Sequence, residues 1–186
     1  MIYNNFSSIA KKYDIIYADP PWKYDDWKTS RGTGAVAAIY PTLDIEEIKK
    51  IPIKGIASTN CALFLWATMP KLTEALEVIT AWGFEYRTCA FTWVKLNPSN
   101  FGIYSGLGYW TNGNAELCLF GKKGHPKRQE RNVKQIILAP RTEHSRKPAE
   151  VRDRIVRLMG DLPRIELFAR QEAEGWDCWS NQLNLF

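Results

Sequence analysis

The chain has 186 residues, enough for one compact domain that buries roughly 70% of its unfolded surface without a disulfide or metal staple. It is 45% hydrophobic and 24% charged, and no run approaches the ~18 apolar residues of a membrane span. The N-terminus lacks a signal-peptide pattern, Cys61, Cys89, Cys118 and Cys178 form no C-x-x-C pair, and only two histidines occur, so a cytoplasmic protein with reduced thiols and no metal is expected.

The net charge is +5, and it is unevenly spread. Residues 121–157 hold twelve Lys/Arg against four acids, a surplus of +8, and the remainder carries −3. A basic segment on a slightly acidic body suits a phosphate backbone, so DNA or RNA is the expected partner. Lys122, Lys123, Lys127, Arg128 and Arg131 are its first candidate contacts; a solvated loop and helix face is the plainer alternative.

In chain order, residues 14–18 are a short apolar run ended by Asp19-Pro20-Pro21, and read as a buried strand. A long polar loop covers 23–41, and Asp44 with Glu47 forms a capping box for a helix ending near Lys50. Residues 61–67 make a second buried strand, and Pro70 opens a helix through Trp82 that Gly83 stops. Residues 84–96 and 115–121 read as strands joined by a long Gly/Asn-rich connection. The basic stretch 122–146 reads as loop, and Pro148 begins a helix with Val151, Ile155 and Leu158 on one face and Gly160 at its end. Residues 164–168 are the last clear strand, before a Trp-rich tail. Strands alternating with helices predict a single α/β domain over 1–186 with a mostly parallel sheet, whose ligands bind beyond the carboxyl ends of the strands.

Asp19, Pro20, Pro21 and Trp22 stand at such an end and offer a particular chemistry. The exocyclic amine of adenine is a poor nucleophile because its lone pair is delocalised into the ring. A carboxylate accepting one N–H favours the pyramidal, attacking form, and a carbonyl held by rigid proline backbone takes the other proton. An adjacent aromatic ring can stack on a base turned out of its helix. An isolated D-P-P-W is also compatible with a strand-ending turn and a core Trp. G-x-G-x-x-G and P-loop patterns are absent from the sequence.

Tyr17-Ala-Asp-Pro-Pro-Trp22, Phe64-Leu-Trp66, Trp93-Val-Lys95, Gly108-Tyr-Trp110, Glu116-Leu-Cys-Leu119, His144-Ser-Arg-Lys-Pro148, Glu166-Leu-Phe-Ala-Arg170 and Asn181-Gln182-Leu183 occur in one order. In this the chain resembles, over residues 14–183, the family of the catalytic subunit of the eukaryotic mRNA N6-adenosine methyltransferase, which has bacterial and phage members. The resemblance implies a Rossmann-like methyltransferase fold with an antiparallel strand pair and permuted motif order, S-adenosylmethionine as cofactor, and N6 methylation of adenine by direct in-line displacement. By it, Asp19 and Pro20 lie at the reacting amine. Asp19 also faces the cofactor, Lys147 holds its methionine carboxylate, and Arg170, Asn181 and Gln182 contact its ribose and adenine. Tyr40 matches a gate-loop position near the target base. After Arg170 the chain reads Gln-Glu-Ala where the eukaryotic subunit has a His-Asn pair, so different ribose contacts are expected there.

Plainer readings stand beside these. Lys147 alone resembles any exposed Lys beside a helix start, Arg170 can pair with Glu166 or Asp177, Trp66 and Trp93 suit the core, and His125 and His144 suit the surface. DNA is preferred over RNA on compactness, since the eukaryotic RNA-modifying members carry zinc fingers or long extensions. A catalytically silent nucleic-acid-binding subunit is the rival, opposed by the intact D-P-P-W. Specificity is left to loops 23–41 and 97–113, the basic segment, or a second copy or partner subunit.

Overall fold

Residues 15–18 and 61–67 carry apolar side chains at successive positions, so both segments need cover on two faces. The computed structural model, which describes residues 1–24, 42–106, 110–142 and 146–180, puts both at the centre of one sheet. Its strands are β1 (Ile2–Tyr3), β2 (Tyr13–Ala18), β3 (Ala57–Ala67), β4 (Glu85–Leu96), β5 (Ala115–Lys123), β6 (Ile136–Pro140), β7 (Arg164–Leu167) and β8 (Asp177–Trp179). They lie in the order β1-β8-β7-β2-β3-β5-β4-β6. Only β5 runs against its neighbours, antiparallel to β3 and to β4; the other described pairs are parallel.

Alternation along the central strands divides the core. Ile16, Ala18, Leu63, Leu65 and Leu167 face α1 (Ile45–Lys50) and α2 (Leu72–Ala81), whose Ile48, Ala75, Val78 and Ile79 are buried against them. Ile15, Tyr17, Ala62, Phe64 and Trp66 face α3 (Glu150–Met159) through Val151, Ile155 and Met159. The α1 capping box forms as expected, with Asp44 and Glu47 each accepting the other's backbone N–H at 2.8 Å. Gly83, at φ +85°, stops α2 in a conformation that side chains avoid. Under α3 the Arg152 guanidinium forks onto the buried Glu166 at 2.6 and 2.8 Å. Burial raises the Glu166 carboxyl above its ordinary range, and Arg152 only partly offsets this.

Three strands depart from the sequence expectation. β6 lies inside the stretch read as a basic loop; its Ile137 is buried, and it pairs in parallel with the outer half of β4. β8 lies in the expected tail and joins β7 to the two-residue β1. The third residue on the buried face of α3 is Met159, and Leu158 is only partly buried.

Candidate active site

β2, β3 and β7 all end at one edge of the sheet, where β5 begins: Ala18 pairs with Leu65 and Leu167, and Ala67 pairs with Leu117. The chain leaves β2 toward β3 on one side and later enters β7 on the other, so β2 stands at a switch in strand order. Crevices form at such a point. A cleft of about 410 Å³, counting its open mouth, lies there, with Asp19, Pro20, Pro21, Trp22, Tyr24, Trp66, Thr68, Glu116, Lys147 and Arg170 in its wall.

The proline pair makes a rigid exit from β2. Trp22 N–H donates back to the Pro20 carbonyl at 2.9 Å, and Leu43 N–H donates to the Pro21 carbonyl at 2.9 Å. Each carbonyl keeps a second lone pair. The Trp22 indole N–H donates to the Trp66 carbonyl at 3.1 Å, and the residue is only 8% exposed, in the core facing α2. Trp22 therefore anchors the segment. The stacking surface that the sequence suggested for it is largely covered.

Lys147, just before α3, reaches across to β2. Its ammonium donates to both Asp19 oxygens at 2.8 and 2.7 Å and lies 3.2 Å from Glu116 Oε2. Lys95 closes the group at 2.5 Å from Glu116 Oε1. The Lys147 and Glu116 side chains are 10% and 7% exposed, so the reading of Lys147 as one more surface lysine is overturned. Burial alone would lower the Lys147 pKa, but the Asp19 and Glu116 carboxylates hold it above the ordinary range. Burial likewise works to raise Glu116, and Lys147 and Lys95 outweigh it, so its carboxyl sits below the usual value. Lys147 and Glu116 are thus kept ionised in a site where charges interact strongly. Trp66 supports them from below: its ring lies 5.4 Å from the Lys147 ammonium, and its N–H donates to Tyr17 Oη at 2.7 Å.

Arg170 joins the wall because the chain turns sharply after β7. Phe168 takes a left-handed φ of 59°, rare for a bulky residue, and its ring packs edge-on against Trp179. Glu166 and Asp177, the partners first considered for Arg170, are engaged elsewhere: Glu166 by Arg152, and Asp177 by the N-terminal amine, Lys11 and Tyr13.

Other expected residues do not converge on the cleft. Lys122 and Lys123 pair in register with Ala62 and Cys61, five and six residues before Ala67 on β3. That separation is roughly 20 Å along the strand. Lys122 there lies 3.4 Å from Glu85, and Lys123 donates to the Ala57 carbonyl. Lys127, Arg128 and Arg131 are exposed on the loop that follows, which is tied to the end of α3 by the Gln129 N–H to Leu158 carbonyl bond and the Arg157–Glu130 pair. Tyr40, His144, Asn181 and Gln182 lie outside the described residues, as does most of the 23–41 loop. Trp66 and Trp93 are each 1% exposed, as core residues should be, and all four cysteines are free thiols.

The sequence profile of the MT-A70 family matches residues 13–182. The chain belongs to the MT-A70 family. It is 35% identical to the Type II methyltransferase M.MunI of Mycoplasma sp, across 93% of this chain and 78% of that protein. It is 32% identical to the human N(6)-adenosine-methyltransferase catalytic subunit METTL3, across 95% of this chain and 29% of that protein. The MT-A70-like N(6)-adenosine-methyltransferase of Arabidopsis thaliana is similar at 31%, with 24% of its length matched. The chain thus spans less than a third of these eukaryotic relatives and most of the bacterial one.

Glu116, Tyr24 and Thr68 in the cleft wall, and Lys95 paired with Glu116, are residues that sequence reasoning left without a role. An acid on the second residue of a strand whose next four residues are apolar was the available signal for Glu116. Tyr24 Oη and Thr68 Oγ1 form a 2.7 Å hydroxyl pair, and burial pushes the Tyr24 phenol up to about 12.

Proposed function

We propose that this MT-A70 protein transfers the methyl group of S-adenosylmethionine to the N6 amine of adenine in nucleic acid, with DNA as the preferred substrate. The observation that carries the reading is the buried bridge of Lys147 between Asp19 and Glu116, at the carboxyl ends of the central strands. A cleft lined by two acids, a buried lysine and an arginine suits a cofactor that carries a carboxylate, an ammonium and a sulfonium. The names of the eukaryotic relatives support N6 of adenine as the position. The compact Type II methyltransferase, matched over most of its length, favours DNA over RNA. Among the described residues no helix is long and apolar enough to cross a membrane. Four free thiols fit a reducing cytoplasm.

In this reading Lys147 holds the methionine carboxylate, and Arg170, with Asn181 and Gln182, holds the ribose and adenine. When bound, S-adenosylmethionine would supply an electrophilic methyl group on a sulfonium that can leave as a neutral thioether. Asp19 accepts one N–H of the target amine and fixes its lone pair, and the free lone pair of the Pro20 carbonyl accepts the other. The proton that leaves the nitrogen once it carries the methyl group passes to water at the cleft mouth. Catalysis is then mainly orientation and preorganised charge. Glu116 and Lys95 keep Lys147 in place. Trp22, locked to Trp66, keeps Asp19 and Pro20 from moving. The intact and internally paired Asp19 favours an enzyme over a silent binding subunit.

The test is incubation with isotope-labelled S-adenosylmethionine and matched single- and double-stranded DNA and RNA, followed by mass spectrometry of the nucleosides. Labelled N6-methyldeoxyadenosine is expected, and label confined to RNA nucleosides would reverse the substrate preference. An absence of labelled nucleoside from every substrate would overturn the reading.

A further inference from the structure

Building on the proposed adenine methylation, we infer that Tyr24 supplies the ring on which the target base stacks inside the cleft. A base drawn out of its strand needs a flat apolar surface to replace its lost neighbours. Among the described residues three aromatics line the cleft: Trp22, Trp66 and Tyr24. Trp66 is 1% exposed, with its N–H bound to Tyr17. Trp22 is 8% exposed, with its N–H bound to the Trp66 carbonyl and its ring within the core. Tyr24 alone of the three is half-buried, packed on that core while still forming cleft wall.

The surroundings hold the Tyr24 ring in position. Its hydroxyl is tied to Thr68, just beyond the end of β3, and the Lys71 ammonium lies 5.8 Å from its ring centre. Lys71 is in turn held by Glu74 at 2.8 Å. A ring fixed at its tip loses little freedom when a base arrives, which makes it a good stacking platform. Two residues before it in the chain, Trp22 fixes the backbone, so Asp19 and Tyr24 are mounted on one rigid segment. The division of labour is an anchoring tryptophan and a presenting tyrosine.

The experiment compares wild-type, Tyr24→Ala and Tyr24→Phe proteins on unmethylated genomic DNA with labelled cofactor. It is joined by a duplex carrying 2-aminopurine at whichever adenine the wild type methylates. Removing one base-stacking ring is expected to raise KM for DNA roughly tenfold and to abolish the 2-aminopurine brightening that reports base extrusion. Tyr24→Phe, which keeps the ring, regains most of both, and calorimetry finds S-adenosylmethionine affinity intact in both variants. KM within twofold of wild type in Tyr24→Ala overturns the inference. So does a Phe variant as impaired as the Ala variant, or an equal loss of cofactor affinity. If Tyr24→Ala does not fold by circular dichroism, Tyr24→Leu replaces it, keeping the core contact without the flat ring. A wild-type protein that methylates no nucleic acid is a separate result, and refutes the proposed function instead.

Discussion

The two edges of the sheet carry charge in opposite ways. At the carboxyl edge of β2, β3 and β7, Asp19, Glu116, Lys95 and Lys147 form a largely buried set of balanced sign around a cleft. At the other edge, Lys122, Lys123 and the loop after them add positive charge on side chains that are exposed or half-exposed. A count along the sequence makes the second region conspicuous and the first invisible, because four balanced charges sum to zero. Yet charges act in proportion to how far they are withdrawn from water and what they face. The balanced set is where chemistry can be done.

The largest effect is expected at Asp19. Asp19→Ala removes the proposed amine acceptor and one partner of Lys147, so turnover should fall a hundredfold or more, about 2.7 kcal/mol of barrier. Oligonucleotide binding and the circular dichroism spectrum should persist. Turnover above a tenth of wild type in a steady-state assay would place the chemistry elsewhere.

Next comes Glu116→Gln, which keeps the shape and removes a charge shared by Lys95 and Lys147. About a tenfold weaker S-adenosylmethionine affinity is expected by calorimetry, because Lys147 is then held from one side only. The same variant carries a pH signature. The Glu116 carboxyl is lowered in the folded protein, so its contribution to stability is present above the ordinary glutamate range. That contribution is lost as pH falls through the lowered value. Glu116→Gln should therefore flatten the acid side of the stability curve, and a melting series of unchanged slope would show that the buried set is not coupled to folding.

The opposite edge contains its own carboxylate, which makes a control. Asp177 takes the N-terminal amine at 2.8 Å, Lys11 at 3.0 Å and the Tyr13 hydroxyl at 2.8 Å, and these bonds hold its carboxyl down at about 2 against burial. Stability from this clamp is intact above pH 4 and disappears as pH falls toward 2. Asp177→Asn should cost about 1 kcal/mol at neutral pH in urea melts, after allowance for solvent screening. It should leave turnover unchanged; a loss of turnover equal to that of Glu116→Gln would erase the distinction between the edges.

How much of this was legible in the sequence depended on range. β2, β3, α1, α2 and β7 were readable because each declares itself locally, through an apolar run, a capping box or a stop glycine. β6, β8 and β1 were not. They are five, three and two residues long, and β1 is a strand only because it pairs with a segment near the other terminus. The same holds in the site. Asp19 and Lys147 were found by motif, but their ion pair, spanning 128 positions, was not. Glu116 was hidden in a strand, and Trp22 was read as a stacking ring because residue type does not reveal depth.

The smallest effect is expected where the sequence signal was strongest, at Lys127 and Arg128. Both are exposed, and both follow the end of β5 that lies roughly 20 Å from the cleft. At physiological salt a field is screened over about 8 Å, so these cations do not act on the cleft from that distance. They matter only if a nucleic acid runs down the face of the molecule and touches them. Arg146 differs: it is exposed immediately beside Lys147, where phosphates flanking an extruded adenine would pass. Arg146→Glu should therefore weaken binding of a 20-base-pair duplex more than the double reversal of Lys127 and Arg128 to Glu. For that double reversal less than about a threefold loss is expected, with cofactor affinity untouched. The salt titration makes the comparison sharp, since each phosphate contact contributes about −0.7 to −0.9 to the log–log slope. A slope flattened by two such contacts in the double reversal would show that the duplex extends along the far edge. The basic loop would then be a second half of the binding surface, and the contrast between the edges would be one of chemistry against grip.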